Sequence, residues 1–231
     1  MIGLSTAIRA ADPRLLADDW GRRTFERFNS GTEGRMAAFS DIIEIATVQM
    51  RDPTEGLGLD GDIWDDIIET VDEYNEPGVF TSLAGFEWTS TPGGDNLHRV
   101  VIFEDGADLT SQTRPYTYFE SMDPEGLWDY MAAYEDDTGG RVISIPHNAN
   151  TSNGLMFAPE KFDRTPMDAD YAAKRARWEP MHEMTQIKGD EETHPMLSPD
   201  DEFADFETWD VGNLAGTAVK TPDMLRYEYA R

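Results

Sequence analysis

Glu87, His98, His147 and Glu183 are the side chains of this sequence best suited to hold a divalent cation. Imidazole nitrogen and carboxylate oxygen are the donors that hard and borderline divalent metals take. Each of the four lies at or just beyond the end of an expected strand, and metal-assisted hydrolysis needs such groups to converge from several strands. Taken singly, each is better explained as a solvated or salt-bridged strand end; three strand ends doing the same thing argue for a site. His182 and Glu183 are adjacent and would point to opposite faces of a strand. Glu183 is taken for the site, in register with Met181 and Thr185. Arg99 follows His98 and offers a planar fork for an anionic group, although from composition alone a partner among the 46 acidic residues explains it better. Lys188, in the string Gln186-Ile187-Lys188-Gly189, is one of four lysines and can face a substrate anion or simply solvent. Asn148 and Asn150 follow His147 directly. His194 sits in a loop with no assigned partner.

The stretch that organises these residues is Arg141–Gly154, RVISIPHNANTSNG. Val142 to Ile145 is a short β-branched run of strand length. Pro146 ends it, because proline cannot donate to a sheet ladder, and the histidine and amides come next. Before it, Asp123-Pro124-Glu125 opens a helix with proline just inside, Leu127, Trp128, Met131, Ala132 and Tyr134 give its apolar stripe, and Thr138-Gly139-Gly140 stops it. Helix, glycine stop, strand and rim histidine read as a unit of a βα barrel, whose chemistry sits at the carboxyl ends of its strands. Val79–Phe86 reads as a strand ending at Glu87 and Trp88. A Gly/Asp turn then leads to Val100–Phe103, a hairpin-like partner. Further helices are expected over 13–28, 37–50, 62–75, 168–178, 198–209 and from 222 onward, with a strand over 179–189.

Composition narrows the classes. The chain has 231 residues, 39% of them hydrophobic, enough for one sizeable core. It has no cysteine, which removes disulfides, thiolate metal sites and cysteine nucleophiles. A formal charge of −27 argues against nucleic acid and anionic membranes as partners. An anionic substrate would therefore need a local positive centre. No apolar run reaches membrane-span length, and the N-terminus lacks the order of a signal peptide; the compartment is not specified. No Gly-x-Ser-x-Gly elbow or Walker loop occurs.

Several strings together resemble one family: Gly85-Phe86-Glu87-Trp88-Thr89-Ser90, Asn96-Leu97-His98-Arg99, Ile145-Pro146-His147-Asn148, Ser152-Asn153-Gly154, Gln186-Ile187-Lys188-Gly189 and Ser198-Pro199-Asp200-Asp201-Glu202-Phe203-Ala204. They resemble the PHP (polymerase and histidinol phosphatase) superfamily, in the branch known as domain of unknown function 3604. The resemblance implies a distorted TIM-like βα barrel, a centre of Mn, Zn or Fe ions, and hydrolysis of a phosphoester or related ester. By position, Glu87 and His147 match metal ligands, and His98, Asn148, Asn150, Gln186 and Lys188 fall in rim motifs. Complete members also carry a His-x-His strand, a Thr-Asp-His segment and a closing Asp-x-His strand, none of which is present here. The resemblance thus implies a single domain over 1–231 that is the central part of such a barrel, without its first and last strands. The metal site would be incomplete, and open sheet edges would invite self-association. The expected roles are metal ligation by Glu87, His147 and Glu183, catalysis by His98 and Arg99, and binding of a small anionic ester by Asn148, Asn150, Gln186 and Lys188. The alternative is a non-catalytic acidic binding domain or a gene fragment.

Overall fold

The computed structural model describes residues 2–47, 49 and 51–229. The sequence reading treats 1–231 as one domain; the contacts fall into two compact units, Met1–Ser82 and Leu83–Arg231. The first is helical: α1 (Ile2–Ala10), α2 (Pro13–Ala17), α3 (Asp19–Phe28), α4 (Thr32–Thr47) and α5 (Asp60–Tyr74). The helix expected over 13–28 is two, because each half has its own carboxylate cap. Asp12 accepts from the Arg14 amide and Asp18 from the Gly21 amide, both at 2.8 Å. Gly34, expected to interrupt, lies inside α4; Val48 and Met50 of that expected helix lie outside the described residues. Leu4, Ile8, Leu15, Ile42 and Leu59 form the buried cluster of this unit.

The second unit is built on a three-stranded sheet in the order β1 (Gly85–Trp88), β2 (Arg99–Phe103), β3 (Val142–Pro146). Both pairings are antiparallel, Glu87 opposite Val100 and Val100 opposite Ile145. Between β2 and β3 run α6 (Ala107–Thr110) and α7 (Pro124–Thr138), and α8 (Ala169–Trp178) follows β3. The caps of α7 are those read from the sequence. Asp123 accepts from the Glu125 amide at 2.9 Å, and Gly139 closes the helix with φ 74°, a conformation glycine adopts without the Cβ penalty.

The α/β character holds, but no closed barrel is present among the described residues. A βα barrel unit needs parallel strands. Here the segment after β2 leaves and returns to the same end of the sheet, so β3 starts opposite the last residue of β2. The Glu104 amide donates to the Arg141 carbonyl at 3.0 Å, and the Asp105 carboxylate accepts from the Arg141 amide at 2.6 Å and the Tyr134 hydroxyl at 3.0 Å, fastening that return. Other expected elements are shorter. The strand begun at Val79 forms only from Gly85, and the 179–189 strand reduces to β4 (Thr185–Gln186), paired with β5 (Gly189–Asp190). Residues 198–209 form turns; the Ser198 hydroxyl donates to Glu228 at 2.9 Å, and Phe203 and Phe206 stay exposed, so no apolar face stabilises a helix there. Residues 222–229 form two short 3₁₀ turns, and 230–231 lie outside the described residues. Among the described residues no helix is long and apolar enough to cross a membrane.

Strand alternation gives the sheet two unlike faces. Trp88, Val101, Phe103, Val142 and Ser144 are buried on one, in the same unit as buried Leu127, Trp128 and Met131 of α7. Arg99 belongs to this buried face, at 1% exposure. Its Nε donates to Glu179 Oε1 at 2.8 Å, beside the Trp128 indole N–H at 3.0 Å, while Arg175 Nε reaches Glu179 Oε2 at 3.2 Å. The Arg99 guanidinium also lies 5.6 Å from the Trp88 ring centroid. A buried cation stripped of its partner is strongly unfavourable, by about 3–5 kcal/mol. Glu179→Ala is therefore expected to lower the unfolding free energy of the protein by about that amount. Urea denaturation followed by tryptophan fluorescence measures it; a loss under about 1 kcal/mol would show that water already screens the pair.

Candidate metal centre

The opposite face of the sheet carries the site. Glu87 lies in β1 opposite Val100, His98 is two residues before Val100, and His147 is two residues after Ile145, itself opposite Val100. A period of two therefore puts Glu87, His98 and His147 on one face and at one end of the sheet. A backbone hydrogen bond from His147 N to the His98 carbonyl, 3.3 Å, extends the β2–β3 pairing to this end.

The three side chains converge on one oxygen. Glu87 Oε1 is 2.8 Å from His98 Nδ1 and 3.2 Å from His147 Nε2, and one donor atom from each residue lies within 4.8 Å of the others. Two ligands bonded to one ion at about 2.1 Å are about 3.0–3.4 Å apart, so this spacing fits a shared ion. The two imidazoles meet edge to face, ring centroids 5.9 Å apart. Both are mostly buried, while the Glu87 side chain is about half exposed.

The far ring nitrogens are contacted as well: Thr91 Oγ1 lies 2.9 Å from His98 Nε2, and the Ile145 carbonyl lies 3.4 Å from His147 Nδ1. His98 Nδ1 and His147 Nε2 are both within hydrogen-bond distance of the same carboxylate oxygen. Burial pushes the His98 pKa down and favours its neutral form. The hydrogen bonds to His147 and then His98 hold the Glu87 carboxyl well below its ordinary range. One carboxylate oxygen and two imidazole nitrogens gathered in this way could hold a metal ion.

The other expected site residues fall around this cluster or away from it. His98, expected to act on substrate, lies with Glu87 and His147 in the cluster that could hold an ion. Glu183, expected as a ligand, lies outside it: residues 181–184 form no strand, the side chain is exposed, and only its backbone N–H bonds toward the sheet, to Pro146 O at 3.0 Å. Arg99 turns to the buried face and its Glu179 partner. Gln186 Oε1 accepts from the Lys188 amide at 3.3 Å, and Asn150 Nδ2 donates to the Lys188 carbonyl at 2.8 Å. Asn148 is fully buried, in the left-handed conformation at φ 69°, with Oδ1 accepting from Asn96 Nδ2 at 3.1 Å. The Lys188 charge contributes to lowering the His98 pKa.

The most consequential residue the sequence reading passed over is Glu191. It stands in the run Gly189-Asp190-Glu191-Glu192, which looks like a solvated acidic turn. In the structure it is 1% exposed and accepts the backbone N–H groups of both Asn148 and Ala149, the latter at 2.7 Å. It thus clamps the loop that carries His147. Thr91 and Asn96 were passed over likewise; isolated threonines and asparagines before a strand carry no distinctive signal. A cavity of about 420 Å³ lined by Leu97, Arg99, Leu155, Met156, Lys161 and Tyr171, among others, includes none of the three cluster residues.

The chain belongs to the DUF3604 family. The model described as Protein of unknown function (DUF3604) matches residues 1–231. No curated protein and no solved structure matches the chain. The DUF3604 description names no activity, so function must be argued from the cluster itself.

Burial raises the Glu191 pKa to about 7, against the lowering effect of its two backbone hydrogen bonds. A carboxyl whose folded pKa lies above its unfolded value binds more protons folded than unfolded, so stability falls as pH rises between the two values. Glu191 is thus expected to favour folding most below about pH 4.5 and to lose that advantage by about pH 7. The full swing is on the order of 3 kcal/mol. Chemical denaturation across this range measures it: Glu191→Gln should remove that part of the slope, and an unchanged slope would show that Glu191 titrates normally.

Proposed function

We propose that Glu87, His98 and His147 hold a divalent cation and that the chain is a PHP-type metal-dependent hydrolase acting on a phosphoester or related ester. The single observation that carries the metal reading is the convergence of two imidazole nitrogens on Glu87 Oε1, with each ring also contacted at its far nitrogen. Metal-ligating histidines are held in this manner by carbonyls and hydroxyls behind them. Three protein ligands with one half-exposed leave room for an exchangeable position, as in catalytic rather than structural sites. When bound, such an ion supplies Lewis acidity toward an ester oxygen and activates water.

The chain's own residues would do the rest. Lys188 makes no ion pair among the described residues, in a chain with 46 acidic side chains, and its charge acts on His98. An unneutralised ammonium there would hold an anionic ester against the cluster. PHP membership rests on the quoted sequence strings, and the antiparallel sheet does not add to it.

Isothermal titration with Mn²⁺ or Zn²⁺ tests the reading, followed by hydrolysis of an aryl phosphate by the loaded protein. Binding at about one ion per chain is expected, and Glu87→Ala or His147→Ala should weaken it at least 100-fold, with any turnover lost in parallel. Metal content that is equal in wild type and His147→Ala would favour the non-catalytic acidic domain. Lys188→Met should leave metal affinity intact and raise KM for the ester.

A further inference from the structure

Asn96 is completely buried, and its backbone N–H and both side-chain amide atoms are hydrogen-bonded. Its backbone N–H donates to Thr151 O at 3.1 Å, its Oδ1 accepts from His98 N at 2.9 Å, and its Nδ2 donates to Asn148 Oδ1 at 3.1 Å. The orientation of the amide is not free: the His98 backbone can only donate, so the oxygen of Asn96 must face it. Asn148 is then oriented as well, because turning its amide would set two NH₂ groups against each other. The price of that arrangement is a buried Asn148 Nδ2 with no hydrogen-bond partner. The fold keeps this unpaired donor next to a left-handed backbone at Asn148, φ 69°. Both are unfavourable, and both lie one residue beyond His147.

From this geometry we infer that Asn96 and Asn148 form a positioning pair that sets the spacing of His98 and His147, so that both present a ring nitrogen to Glu87. Asn96 holds the backbone of His98 directly and that of the His147 loop through Asn148. Glu191 clamps the same loop from the other side, at the N–H groups of Asn148 and Ala149. The inference deepens the metal-centre reading and rests on it. The effect of the asparagines is exerted through the two histidines. The pair joins positions 52 apart in sequence and supplements the single backbone hydrogen bond, His147 N to His98 O at 3.3 Å, that links the two histidines directly.

Mn²⁺ titration of the full chain, with circular dichroism to confirm folding, tests this. Asn96→Leu removes the link from one side at similar volume. Asn148→Gly removes it from the other and relaxes the left-handed backbone. Each should weaken Mn²⁺ binding about 10- to 100-fold, and the double variant should be no weaker than the poorer single, as for two halves of one interaction. Asn148→Asp keeps the acceptor for Asn96 Nδ2 and lacks the unpaired NH₂, so it should bind within about threefold of wild type, whereas Asn148→Leu, which fills similar space without an acceptor, should not. ¹⁵N spectra of the metal-free protein should show His98 and His147 each in a single tautomer in wild type and in exchange in Asn148→Gly. Wild-type binding with Asn148→Gly within twofold of it and unchanged ¹⁵N spectra would overturn the positioning role alone. Absence of Mn²⁺ binding by the wild type would overturn the metal-centre reading and this inference with it.

Discussion

One carboxylate oxygen, Glu87 Oε1, has two imidazole nitrogens within hydrogen-bond distance. Contacts on the far sides of the rings, to Thr91 and to the Ile145 carbonyl, help hold both imidazoles there. Burial disfavours a charged His98, while the hydrogen bonds to His147 and His98 favour the ionised carboxylate. The result is one anionic oxygen gathered with two largely buried rings, a donor set that could hold a metal ion.

The two faces of the three-stranded sheet divide the work. On one, Arg99 is locked among aromatic residues by Glu179, whose Oε1 it shares with the Trp128 indole while Arg175 takes Oε2. Such a network rigidifies the strand that begins immediately after His98. On the other face, Val100, Ile102, Ile143 and Ile145 are only partly buried, and the cluster lies at the strand ends beyond them. Adjacent residues His98 and Arg99 therefore serve opposite sides of one sheet. This is why the arginine, attractive as an anion ligand in the sequence, is spent on structure. Lys188, on the β4–β5 turn, makes no ion pair among the described residues, and its charge acts on His98.

The loop after His147 concentrates the unfavourable features of the second unit. Asn148 has positive φ, Asn148 Nδ2 and Asn150 Oδ1 are buried without partners, and the Glu191 carboxylate is buried. Proteins keep strain and unsatisfied polar groups where the surrounding structure overdetermines them, commonly at sites. The compensations are visible in the same place: two backbone N–H groups on Glu191, the Asn96 amide on Asn148, and the Lys188 carbonyl on Asn150.

What the sequence determined by itself is local or periodic. The cap, stripe and glycine stop of α7 span fifteen residues and were readable as written. So were strand β3, the end imposed by Pro146, and the antiparallel pairing of the segments around the Gly/Asp turn. Glu87 and His147 stood out because strand ends are few and the sequence has only four histidines. Tertiary structure decided the rest. The direction of β3 depends on how residues 104–141 return, fastened by Asp105 to Arg141 and Tyr134, and no local pattern encodes that. The same holds for the membership of His98 in the cluster, the departure of Glu183 from it, and the burial of Glu191. Each follows from pairings across tens of residues, whose energies are sums over the whole packed unit. A window of neighbouring residues fixes how the chain turns, but not what it will meet.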